Sequence, residues 1–132
     1  MNISKIFKAL GISKWGAAWT VLTKGMSGLL ALVAEAFTNL LRKADKDKLA
    51  YYADLATKIS KVIRCAIEQF VTAPAYKAAG DSTVGGLESF AKHVSDGEYT
   101  QDELMEDIDF MEACIDLWKE AAKCEKEKPL LS

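Results

Sequence analysis

The groups in this chain that can do chemistry are a single histidine, His93, three cysteines, Cys65, Cys114 and Cys124, and 19 carboxylates. A histidine titrates near neutral pH and is a common general base. Around His93, however, no Ser, Cys or carboxylate stands at a spacing that marks a triad, and a histidine near a helix C-terminus is favoured there by the helix dipole. Structural zinc sites commonly use paired cysteines such as Cys-x-x-Cys, and the three cysteines show no such spacing. Di-metal carboxylate bundles need Glu-x-x-His pairs on facing helices, and one histidine cannot supply them. Gly85-Gly86 is an isolated pair, with no Gly-Lys-Ser/Thr to cradle a phosphate. The expectation is a non-catalytic protein with no catalytic, cofactor-binding or metal-ligating residues.

The carboxylates carry a different signal. At 100° per residue, Asp102, Glu106, Asp109, Asp116 and Glu120 fall within an arc of about 80° on one helix, opposite an apolar row centred on Ile115. Like charges at i,i+4 (Asp102 with Glu106, Asp116 with Glu120) cost a few tenths of a kcal/mol each. With the apolar row in the core, the stripe points outward. It is then either a solvated face or a docking stripe for a basic partner, in the manner of a nucleic-acid mimic.

Residues 96–104 (DGEYTQDEL) resemble the second half of an EF-hand loop, but the first and third ligand positions fall on Lys92 and Val94, which cannot bind calcium. The same nine residues resemble a stretch of the tellurite-resistance TerB-like helical domains. That resemblance implies an all-helical fold and an acidic turn between helices. It covers nine of 132 residues, and a turn followed by a capping box produces the same pattern.

The N-terminal third carries the opposite charge. Lys5, Lys8, Lys14 and Lys24 flank Ile3, Phe7, Leu10, Trp15 and Trp19, and residues 1–34 contain no acid. A cationic helix with Trp and Phe on its apolar side can dock in a partner's groove or lie in a membrane interface. It can equally complete the chain's own core. Residues 1–64 hold eleven cations and four acids (+7), and residues 65–132 hold six and fifteen (−9), which sum to the formal −2. No direct nucleic-acid binding is expected, since phosphate affinity scales with the cations supplied. The sequence points to a protein-protein interaction or assembly module. Its partner is another protein or a second copy, bound through Ile3, Phe7, Leu10, Trp15 and Trp19 and through the acidic stripe. An acidic inhibitor of a nucleic-acid-binding enzyme and a membrane-surface protein are the alternatives.

Compartment and fold follow from composition and period. Three cysteines are too few and an odd number for a disulfide scaffold, which favours reduced thiols and a cytoplasmic location. Between Lys24 and Glu35 stand ten uncharged residues, against about 20 for a bilayer span. The 24 residues up to Lys24 are a long charged lead for a secretory signal. With 50% hydrophobic and 27% charged residues, the chain has material for a core. Helical spacing recurs throughout, predicting one all-α domain, a compact antiparallel bundle of four to six helices. The expected parts are basic apolar helices over 1–43, a central helix over 46–72 and a loop over 74–86 (PAYKAAGDSTVGG). A short helix over 87–95 and an acidic helix over 100–127 complete the chain. Asp54–Lys58 and Arg64–Glu68 are the expected i,i+4 pairs of the central helix.

Overall fold

The computed structural model describes residues 3–97 and 99–124. Among these residues it contains five α-helices, α1 (Ile3–Leu10), α2 (Lys14–Arg42), α3 (Leu49–Phe70), α4 (Pro74–Ser95) and α5 (Gln101–Cys124), with a 3-10 turn at Lys46–Lys48 before α3. There is no strand among them, and the helices form the compact antiparallel bundle that the periodicity predicts. Residues 125–127, expected to continue the last helix, lie outside the described residues.

Each boundary has a local cause. Gly11 (φ +74°) ends α1 through two backbone bonds, Gly11 N–H to the Lys8 carbonyl and Ile12 N–H to the Phe7 carbonyl, the pattern of a glycine-terminated helix. Ser13 caps α2, its Oγ accepting from Gly16 N–H at 2.9 Å. Thr100 caps α5, its Oγ accepting from Glu103 N–H at 3.1 Å and donating to the Glu103 carboxylate at 3.2 Å. Inside α2, Gly25 takes φ 79° and ψ 179°, a conformation open essentially only to glycine, so residues 14–24 leave the axis of residues 26–42.

The expected loop at 74–86 is not a loop. Pro74 stands at the first helical position, where its missing N–H costs nothing, and α4 runs unbroken through to Ser95, absorbing the expected short helix. Tyr76, Ala79, Thr83, Leu87 and Phe90 keep a helical period straight through the glycines, and all five are buried. The turn-forming composition has a packing cause instead. A Cβ on Gly80 would sit 2.1 Å from Ile67 Cδ1 of α3, and one on Gly86 would sit 2.8 Å from the Phe110 ring of α5. The glycines let α4 lie close between its two neighbours, and its most extensive contacts are with α3 and then α5.

The core is continuous from α1 to α5. Phe37 and Phe90 meet edge to face at 6.0 Å, and both are fully buried. Thr83, also fully buried, accepts the Trp118 indole N–H at 3.0 Å and donates to the Ala79 carbonyl at 2.8 Å. One hydroxyl thus satisfies the polar atom of the largest side chain in the α4–α5 seam. The central helix differs from expectation in three respects. Its first turn is the 3-10 segment, it ends at Phe70 with Val71 extended rather than at residue 72, and Arg64 pairs with Glu88 of α4 at 2.5 Å rather than with Glu68. Asp54–Lys58 forms as expected at 2.8 Å.

Two glycines of α4 separate packing from propensity. Gly85 has open space where its Cβ would go, so Gly85→Ala is expected to stabilise by about 0.5–1 kcal/mol. Gly80→Ala gains the same propensity but drives a methyl into Ile67, and a net loss of about 1–2 kcal/mol is expected. Urea unfolding of the two variants checks this. Equal effects from both would mean that α4 does not pack as described.

Candidate interaction surface

The N-terminal residues expected to act together are divided by the fold. Leu10 is buried and Phe7 half-buried against the core, with Ile6 beside them. These belong to the molecule's own interior, which corrects the reading of Leu10 as a partner contact. The side chain of Ile3 lies outside the described residues. Trp15 and Trp19 do the opposite, being 86% and 63% exposed. Helical geometry explains the split. On residues 14–24, Ala17 is buried and lies about 160° around the axis from each tryptophan. A small residue faces the molecule and the two largest face away.

This short segment is an arm set off by the bend at Gly25. Its hydroxyls are spent on its own backbone, with Thr20 Oγ1 donating to the Gly16 carbonyl and Thr23 Oγ1 to the Trp19 carbonyl, each at 2.8 Å. Lys14 and Lys24, both exposed, stand at its two ends. Ionic and aromatic groups are therefore what it offers to solvent.

The acidic stripe of α5 lies where the sequence places it. Asp102, Glu106, Asp109, Asp116 and Glu120 are all exposed, opposite the buried row Leu104, Ile108, Met111, Ile115 and Trp118. Other acids of this helix turn inward or sideways to partners. Glu112 accepts from Arg42 of α2, with Nε at 3.1 Å, and Asp107 accepts from the Tyr99 hydroxyl. The stripe is not purely acidic. Met105, Phe110 and Leu117 are each about half exposed and fall within about 80° of its midline. Sequence reasoning missed these three. The signal was present, because Phe110 and Leu117 are seven apart and off the core row, a second apolar line on the same helix.

Two clefts flank α2. One, of about 330 Å³, lies beneath the arm, where Thr20, Lys24 and Ser27 face Tyr76, Ile115 and Trp118. The other, of about 520 Å³, opens between α2 and α3 and is lined by Phe7, Met26, Leu29, Val62, Ala66 and Phe70, with Lys61, Cys65 and Gln69 among its few polar groups. Cys65 is exposed and accepts from Gln69 Nε2 at 3.4 Å, whereas Cys114 is buried in α5. Burial pushes the Cys114 thiol up from its ordinary range, against a smaller lowering effect of the Thr83 hydroxyl. Among the described residues, no group of His, Cys, Asp and Glu is placed to hold a metal ion.

His93 has a carboxylate within reach, its Nδ1 lying 3.6 Å from Asp107 Oδ2. The same oxygen accepts from Tyr99, whose ring packs edge to face on Phe90 at 5.8 Å. This trio joins the end of α4 to the start of α5, and Gly97 (φ +112°) makes the turn between them. Within the EF-hand-like stretch Gly97 makes the turn and Thr100 the cap, while Asp107 accepts the Tyr99 hydroxyl. Burial, and then the Asp107 carboxylate, hold the Tyr99 hydroxyl well above the ordinary tyrosine range. The folded state therefore binds this proton more tightly than the unfolded chain, and stability falls as pH rises past the unfolded value of 10.0. Tyr99→Phe is expected to lessen that alkaline loss and to leave the neutral-pH slope unaltered. Urea unfolding at neutral and alkaline pH checks this, and an unchanged alkaline loss in the variant would break the link.

No family profile, curated protein or solved structure matches this chain.

Proposed function

We propose that this protein is a non-catalytic interaction module that docks on another protein through the aromatic arm at residues 14–24. The exposure of Trp15 and Trp19 carries the reading. Two adjacent indoles in water forgo the burial that each can gain, and tryptophan is the residue most enriched where protein interfaces concentrate their binding energy. The arm's cations supply steering toward an acidic surface.

Membrane-surface attachment is the second reading, favoured by the same exposed indoles between Lys14 and Lys24. Among the described residues α2 is long and apolar enough to cross a bilayer, by length and composition alone. Residues 26–42 bury Leu30, Val33, Ala34, Phe37 and Leu41 in the core, and a span would have to extract them. Within α2 it is the arm, with Trp15 and Trp19 exposed, that is free to enter an interface.

Photo-crosslinking in the native host separates the two. A photoreactive amino acid at position 15 is expected to yield protein adducts, and these are expected to diminish at least tenfold when Trp19→Ala is added. Adducts to lipid alone would replace the protein reading with the membrane one, and adducts indifferent to Trp19 would overturn the role of the arm.

A further inference from the structure

The arm and the outer face of α5 are complementary in both charge and polarity, and we propose that they meet between two copies of this chain, the arm of one seated on α5 of the other. This rests on the reading of the arm as a docking element and names its partner. Trp15 and Trp19 lie between Lys14 and Lys24 on a segment with no carboxylate. On α5, Phe110 and Leu117 alternate with Asp109 and Asp116, each pair spaced about 10 Å along the axis. Apolar rings can thus meet apolar side chains while the lysines reach the acids beside them. Among the described residues Asp102, Glu106, Asp109 and Asp116 form no ion pair, so their charges are available to a partner.

Three further observations favour a second copy on this face. Within one chain the pairing is not made, since both tryptophans stand mostly in water. Among the described residues, the cleft between α2 and α3 is another apolar surface, of about 520 Å³. It carries Lys61 and no carboxylate in its lining, so a basic arm meets like charge there. The α5 face is also preorganised, because the Phe110 ring is held over Gly86, and ordering it on binding costs little. Arm and face are different surfaces of one chain. The contact therefore either closes reciprocally into a twofold dimer or continues head to tail.

Sedimentation of the full chain tests this at low and high ionic strength, with circular dichroism to show that each variant folds. The wild type is expected to associate, and to do so more weakly at high salt as the charges are screened. Trp15→Ala with Trp19→Ala removes the arm, and Asp109→Lys with Asp116→Lys removes the face. Each double variant alone is expected to weaken association by at least tenfold. Mixed in equal amounts, the two are expected to regain a dimer and stop there, because each pair of molecules keeps one working contact. A wild type that stays monomeric at both salts overturns the second-copy assignment and leaves the arm's docking on a different protein to the crosslinking result. Association indifferent to both double variants, or a mixture that stays monomeric, overturns the pairing itself.

Discussion

The close seating of α4 between α3 and α5 is the constraint on which the remainder of the bundle depends. It is set by side chains that are missing. With hydrogen in place of a methyl at Gly80 and Gly86, Ile67 comes in from one side and Phe110 and Met111 from the other. Close approach then brings Thr83 under Trp118, and the hydroxyl meets the indole N–H in a place water does not reach. An indole there without that partner would leave a buried donor unsatisfied, at a cost of about 1–3 kcal/mol. Glycine in a helix is unfavourable by about 1 kcal/mol relative to alanine. The packing it permits along α4 offsets that penalty.

Once α3, α4 and α5 are locked, the division of labour in the N-terminal third follows. Residues 26–42 supply Leu30, Val33, Phe37 and Leu41 to the core, and α1 adds Ile6 and Leu10. Residues 14–24 join these two pieces and have only Ala17 buried on their own length. Their aromatic side chains are surplus to the core. The bend at Gly25 then directs that surplus away from the molecule, so a surface rich in tryptophan arises from geometry already fixed by the interior.

Much of the fold is legible in the sequence wherever one physical signal stands uncontested. The capping box at the start of α5 and the long helical period of the central helix are of this kind. Reading failed where one residue type serves two purposes. Gly80, Gly85 and Gly86 with Pro74 read as turn chemistry, because local composition cannot tell a glycine that bends the chain from one that admits a neighbour. The buried period through Tyr76, Ala79, Thr83, Leu87 and Phe90 was the better guide. Arg64 likewise had two acids in reach, and only the placement of α4 decides for Glu88. The acidic stripe was legible because helical angle alone defines it. The inward turn of Leu10 and the outward turn of Trp15 were not, because amphipathic spacing gives a face and says nothing of what lies opposite.

The three tryptophans therefore occupy two unlike environments. Trp118 is sealed between Tyr76 and Thr83, its ring 6.2 Å from the tyrosine, while Trp15 and Trp19 are bathed in solvent. Intrinsic emission from the native protein is accordingly a sum of a blue, quencher-protected component and a red, quencher-accessible one. The red component reports what happens at the surface and the blue one the integrity of the α4–α5 seam. The chain carries its own pair of optical probes, and neither has to be introduced.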